Sequence, residues 1–153
     1  MPVTIAPSDE ACQAIVSRIN SGSGLTYTLP SAAEYFYELS EDLRSQSALE
    51  VDVIHDTETD LVETLDTENP TLHTLRIVVR KKLPGKVATA TVSALKLIAR
   101  QIFQRVNSYA GTSRVTLWDV GVEDADSPDK GVLRTHGLFA MSIAVKVRVE
   151  ASA

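Results

Sequence analysis

Cysteine is nearly absent from this chain, since Cys12 is the only one among 153 residues. A single thiol excludes a disulfide within the chain, and it agrees with assembly in a reducing cytosol. Cys12 falls in a helical pattern beside Ala11, Ile15 and Val16. We therefore interpret it as a small buried residue.

Long hydrophobic runs are also absent. No segment approaches the roughly 18 apolar residues that a membrane-spanning helix needs. The first residues lack the basic start and apolar core of a signal peptide. No membrane partner is expected. A length of 153 residues with 44% hydrophobic content suits one globular domain with a real core.

The motifs of the common catalytic and metal sites are missing as well. The three histidines, His55, His73 and His136, have no metal-like spacing to other ligands. The sequence contains no Gly-x-Ser-x-Gly motif, no phosphate-binding glycine-rich loop and no Cys–His dyad. His55 beside Asp56 could assist acid–base chemistry, but a site needs several converging groups, so a solvated loop pair is favoured. We expect no catalytic residue, no metal site and no cofactor.

Charge is present, but it is divided into blocks. Residues 45–75 contain no lysine or arginine, and residues 76–105 contain no aspartate or glutamate. The net charge of −5 does not favour a nucleic-acid-binding surface. Two oppositely charged surfaces can instead attract each other between copies of one chain.

The longest regular pattern runs from Leu72 to Val106. Alternation predicts a strand, and because Leu72 and Val78 add apolar side chains to its second face, both faces should be covered. A basic turn, Arg80 to Lys86, follows with a Pro-Gly pair. Apolar residues at helical spacing from Val92 to Val106 then predict a long amphipathic helix that covers the sheet.

The other elements surround this strand–helix unit. A short helix is predicted after an N-cap at Ser8, with a stop signal at Asn20–Gly24. A strand over Leu49–Val53 has one buried face and one acidic, wet face. Further strands are predicted at Leu25–Leu29, as an edge strand early in Ser31–Gln46, at Val115–Val120 and at Phe139–Val149, with acidic loops at Thr57–Pro70 and Gly121–Gly131.

This order of elements predicts the α+β class. We expect a single domain over residues 1–153, with a mostly antiparallel β-sheet. The long amphipathic helix and the short N-terminal helix should pack on one face of it.

Five features in this order resemble a known family. They are a first helix ending in Asn20-Ser21-Gly22, the strand Leu49–Ile54 with its acidic loop, the strand Leu75–Leu83, the long helix after it, and the last strand Phe139–Val149. Together they resemble the small tail-terminator and neck proteins of long-tailed bacteriophages.

The resemblance implies a structural virion protein that is not an enzyme. Typically six copies would form a ring at the head-proximal end of the tail tube, stop tube polymerisation and join the tail to the neck and head connector. The implied partners are further copies of the chain, the tail tube protein and the connector proteins. Genomic DNA would pass through the lumen without specific binding. The protein would be assembled in the host cytoplasm and located in the virion tail or neck.

A head-to-tail ring needs two different, complementary patches on each subunit. The acidic and basic blocks could supply them. Alternatively, the acidic loop faces the lumen, where negative charge keeps passing DNA from sticking. The candidate interface residues are Glu58, Asp60, Glu63, Asp66, Glu68, Arg80, Lys81, Lys82, Lys96 and Arg100.

Two other classes of protein stay open. One is a head-completion connector, a stopper or adaptor of similar size that also lacks catalysis. The other is a small-molecule-binding α+β enzyme with residues such as His55 and Trp118 in a pocket. Fold class alone does not choose between these functions.

Overall fold

The computed structural model describes residues 5–20, 33–35, 49–61, 69–83, 88–122 and 137–151. The fold is α+β in a single domain, as the sequence predicts. The described helices and strands are, in chain order, α1 (Pro7–Asn20), β1 (Ala33–Tyr35), β2 (Glu50–Asp60), β3 (Thr71–Lys82), α2 (Thr89–Asn107), β4 (Val115–Val122) and β5 (Leu138–Val149).

The described strands form one sheet in the order β1-β2-β3-β5-β4. Only β1 pairs in parallel, with β2, and the other pairs are antiparallel. The two longest neighbours, β3 and β5, pair without a break from Thr71 opposite Val149 to Lys82 opposite Leu138. The described sheet is therefore mostly antiparallel, as predicted.

Both helices contribute to one hydrophobic core with one face of the sheet. Strand residues with odd numbers, such as Ile77 and Ile143, are fully buried in this core. Ile15 supplies the α1 side, and Ile98 and Ile102 supply the α2 side. Burying each such side chain contributes roughly 1.5–3 kcal/mol, so this common core is the main source of stability.

The second face of the sheet is also covered around the middle of β3. Val78 and Arg80, which point away from the helices, are each 6% exposed. Ile54 on β2 is buried on that face as well. The expectation that this strand is covered on both faces is confirmed over that half of β3. Leu72, which the sequence placed in the same set, is half-buried.

Two predicted boundaries of β2 and β3 are wrong. Thr57–Asp60 belongs to β2, although the loop was expected to begin at Thr57. Arg80–Lys82 belongs to β3, as in the strand Leu75–Leu83 of the resemblance, and not to the basic turn that was expected to begin at Arg80. In both places backbone pairing continues, with Asp60 opposite Thr71 and Lys82 opposite Leu138. Polar side chains do not interrupt a ladder that is made by backbone groups.

The start of α1 also differs from the prediction. The helix begins at Pro7, and the Glu10 amide donates a 3.0 Å hydrogen bond to the Ala6 carbonyl. Ser8 is therefore inside the first turn and is not the N-cap. Proline suits the first helical position because its missing N–H would have no partner within the helix there.

Several predicted elements fall wholly or partly outside the described residues. The strand at Leu25–Leu29 is one, and so are most of Ser31–Gln46 and most of the acidic loop Gly121–Gly131, whose first two residues, Gly121 and Val122, belong to β4 instead. From Ser31–Gln46 the structure describes β1, which lies at one edge of the described sheet, as the edge-strand prediction requires.

Candidate functional site

The two ends of the β2–β3 pair carry opposite charges. Glu58 and Asp60 are exposed at the end where Asp60 lies opposite Thr71. Lys81 and Lys82 lie at the other end of β3. Because β3 has 12 residues, these ends are roughly 36 Å apart at about 3.3 Å per residue. We call Glu58 and Asp60 the acidic end, and Lys81 and Lys82 the basic end.

Between these ends, the acidic and basic blocks pair within the subunit. Arg80 Nη2 lies 3.6 Å from Asp52 Oδ2, and the two side chains are 7% and 12% exposed. Arg76 Nη2 lies 3.8 Å from Asp56 Oδ1 on the surface. Arg80 is thus a buried structural residue, and we remove it from the candidate interface. Asp52, expected on a wet face, is buried with it.

The other candidate interface residues divide into two groups. Lys96 and Arg100 are half-buried on α2, where the Arg100 guanidinium lies 5.2 Å from the centre of the Phe103 ring. Leu97, between them on the helix, is 50% exposed. Glu63, Asp66 and Glu68 lie outside the described residues.

Trp118 is the most exposed large hydrophobic side chain that the structure describes, at 56%. It lies on β4, at an edge of the described sheet, where the register with β5 shifts between Leu117 and Asp119. Such bulges interrupt the pairing potential of an edge. β3 and β5 separate Trp118 from His55 on β2, a distance of roughly 14 Å across three strand spacings. These two residues are not brought together, contrary to the pocket considered for an enzyme.

The structure instead joins His55 to His73, a contact that the sequence analysis missed. His55 Nε2 lies 2.9 Å from His73 Nδ1, and His73 Nε2 lies 2.7 Å from Thr71 Oγ1. His73 is fully buried and Thr71 is 7% exposed, whereas His55 is half-buried. The two rings are 18 positions apart in sequence, and only the hairpin register brings them together.

Burial determines the charge state of His73. Desolvation lowers the pKa of His73 below 6.5, the negative charge of Glu58 opposes that shift, and His55 adds a smaller lowering effect. His73 is therefore neutral at pH 7 and uses one ring nitrogen as donor and the other as acceptor.

A hydroxyl, an imidazole and a second imidazole in series have the order of a nucleophile, a base and an orienting group. A nucleophile must reach its substrate, however, and Thr71 is only 7% exposed. This conformation leaves little room for a substrate carbonyl at the hydroxyl. The hydrogen bond between His55 and His73 joins β2 to β3.

An open groove of about 610 Å³ runs between α1 and the segment that joins α2 to β4. Its polar side chains hold the fold together. The Arg114 guanidinium donates to both carboxylate oxygens of Glu10 at 3.2 and 3.1 Å. Arg18 donates to the Arg105 carbonyl and to Ser108 Oγ, both at 2.8 Å. Gly111, at φ 80°, is required there, because a Cβ would lie 2.8 Å from the Val115 carbonyl oxygen.

In the part of the chain that the structure describes, no group of three or more His, Cys, Asp or Glu could hold a metal ion. No helix among those residues is long and apolar enough to cross a bilayer. The arrangement defines a single-domain α+β protein whose sheet has an acidic end and a basic end. No protein-family model matches the chain, and no curated protein matches its sequence.

Proposed function

We propose that this chain is a structural virion protein resembling phage tail terminators. Identical copies form a ring at the head-proximal end of the tail tube, where the ring stops tube polymerisation and joins the tail to the head connector. The resemblance in element order motivates the choice of a tail terminator. The observation that carries self-assembly is the separation of opposite charges to the two ends of β2–β3.

Opposite ends of one sheet can meet only when they belong to different copies. An acidic end that contacts the basic end of the next copy makes a head-to-tail contact, and such contacts generate rings when the rotation closes. Glu58, Asp60 and Lys82 form no ion pair with another described residue. In the assembly that we propose, these charges pair with a neighbouring subunit, with Lys96 on α2 as a further cation.

Charge reversal tests this contact. The variant E58K/D60K should weaken self-association by at least roughly 100-fold, because like charges facing each other at an interface cost several kcal/mol. The variant K81E/K82E should fail in the same way. An equimolar mixture of the two variants should assemble again, because each acidic end then meets a basic end in an alternating ring. Sedimentation velocity and native mass measurement read out all three samples.

The matched control is D9K, which reverses a half-buried acid in the first turn of α1 and should assemble normally. If E58K/D60K assembles like the unmodified protein, these acids do not form the contact. The triple variant E58K/D60K/E63K tests the alternative that these acids face the lumen. Intact rings together with slowed DNA ejection would support that alternative. No effect on assembly or on ejection would contradict both roles.

Trp118 gives a second test of assembly. It is the only tryptophan in the chain, so its emission reports one position. Exposed tryptophans are enriched in protein interfaces, and we expect Trp118 to be covered in the ring. Quenching by acrylamide should fall several-fold between dilute monomer and assembled protein. Equal quenching in both states would show that Trp118 lies outside the contact.

A terminator and a head-completion connector are separated by particles assembled without the protein. Overlong tails in electron micrographs indicate a terminator, whereas full-length tails beside DNA-leaking heads indicate a stopper or adaptor. If the protein is a terminator, the purified ring should also bind the tail tube protein.

One observation favours an enzyme as the second candidate. It is the series of hydrogen bonds that runs from Thr71 through His73 to His55. An enzyme of this kind would act as a monomer and would lose turnover in the T71V variant. A stable ring that binds the tube protein and retains its assembly in T71V would argue against it.

A further inference from the structure

The paired histidines lie directly beside the acidic end. Glu58 is opposite His73 in the β2–β3 register, and Asp60 is opposite Thr71. A register shift between His55 and Thr57 produces this arrangement. Strict alternation from His55 would place Thr57 on the same face opposite His73, whereas the bulge at Asp56 places Glu58 there. The bulge therefore brings a carboxylate next to the buried imidazole.

The number of protons that the pair can hold follows from its two bonds. At the contact between His55 Nε2 and His73 Nδ1, one nitrogen must carry the hydrogen and the other must accept it. The neutral pair satisfies this condition. A pair with one added proton also satisfies it, because a charged His55 donates to His73, which in turn donates to Thr71. With two added protons both nitrogens carry hydrogens, and the 2.9 Å contact is lost.

The surroundings disfavour a positive charge on His73. His73 is fully buried, and across β5 it faces the apolar side chain of Val147. The charged side chains adjacent on β5, Lys146 and Arg148, alternate to the other face of the sheet. On α1, Glu10 is bound to Arg114, and Asp9 is the other first-turn acid. Among the residues that the structure describes, Glu58 raises the pKa of His73 and His55 lowers it.

We propose that His55 and His73 are a pH-sensitive regulator of the contact made by the acidic end, an inference that rests on the proposed ring function. The first proton gives the hydrogen-bonded pair a positive charge beside Glu58, which lies opposite His73, and reduces the attraction of the acidic end for the basic end of the next copy. A second proton separates the two rings and removes the bond that fixes β2 on β3 beside that end. Acid therefore weakens the ring in two stages.

Folding stability changes in the same direction. The pKa of His73 is lower in the folded chain than its ordinary value of 6.5. The unfolded chain then binds the proton more readily, so the stability contributed by neutral His73 is complete above pH 6.5. It is lost as the pH falls from there towards the lowered folded value. Circular dichroism at each pH keeps unfolding separate from loss of association.

The test compares self-association at pH 7.5 and pH 5.5 for the full chain and for H55Q. Glutamine retains a side-chain donor and acceptor but does not titrate. In the unmodified protein the dissociation constant should rise about tenfold or more, the change that corresponds to one pKa unit of coupling. In H55Q the dissociation constant should rise by less than about threefold over the same pH change. The control T59Q places glutamine at an exposed, non-titrating position of the same strand and should keep the pH dependence of the unmodified protein.

Ring nitrogen-15 NMR provides an independent measurement within one subunit. His73 should remain in one neutral tautomer from pH 8 to pH 6.5, because burial lowers its pKa. Independent titration of both rings near pH 6.5 would overturn the inference, and so would association in H55Q that is as pH-dependent as in the unmodified protein. Association that is unaffected by pH would overturn it while leaving the ring intact. A chain that stays monomeric at both pH values would defeat the ring and its regulation together.

Discussion

Replacing Arg80 with methionine should lower the free energy of unfolding by about 3–5 kcal/mol, the usual cost of removing one partner of a buried ion pair. Arg80 is 6% exposed and Asp52 is 9% exposed, and their charged groups are 3.6 Å apart. Methionine fills much of the same space but provides no positive charge. The Asp52 carboxylate then remains buried without this cation. Urea denaturation measured at pH 7.5 gives the change directly.

Two control variants isolate the charge effect. The double variant D52L/R80M should recover most of the loss, because apolar residues of similar volume often replace a buried ion pair at little cost. The single variant K82M removes a half-buried cation at the end of the same strand and should change stability by no more than about 0.5 kcal/mol. An R80M variant as stable as K82M would show that Arg80 is not buried. Arg80 would then again be a candidate interface residue.

The sequence predicts the central elements well because burial imposes periodicity on them. β5 alternates between buried and half-exposed residues for most of its length, and that alternation appears in the letters from Phe139 to Val149. α2 is recognised for the same reason, since Leu95, Ile98 and Ile102 face one core. Patterns of this kind depend only on neighbours along the chain.

Boundaries were predicted less well, because side-chain polarity does not report backbone pairing. Thr57–Asp60 is exposed and acidic, which is typical of a loop, yet it pairs with β3 through the ladder. Arg80–Lys82 comes just before the Pro84-Gly85 turn signal, yet it continues β3 opposite β5. In both cases a partner strand that is distant in sequence decides the structure.

The candidate site depends on register even more strongly. The separation of acidic and basic blocks was visible in the sequence, but the pairing of Asp52 with Arg80 was not. Asp52 on β2 lies directly opposite Val78 on β3. Arg80 is two positions beyond Val78 and points to the same face, so Asp52 and Arg80 are diagonal neighbours. The contact of His55 with His73 further requires the bulge at Asp56, for which the sequence gives no clear signal.

Replacing Phe139 with alanine should also lower the free energy of unfolding by about 3–5 kcal/mol, the range for a buried aromatic residue cut to a methyl group. Phe139 is fully buried on β5, where it lies opposite Lys81 of β3 and packs into the core shared with both helices. Removing the ring leaves a cavity that close-packed neighbours fill only in part. Differential scanning calorimetry and urea denaturation under dilute, monomeric conditions should agree on the size of the loss.

The matched control is Trp118→Ala, which removes a still larger aromatic ring. Because Trp118 is 56% exposed, its loss should change the stability of the monomer by no more than about 0.5 kcal/mol. The same substitution should weaken self-association if the ring covers Trp118. One aromatic residue would then act on folding and the other on assembly, and the two effects can be measured separately. Equal destabilisation of the monomer by both substitutions would contradict the placement of Phe139 in the core and Trp118 at the edge.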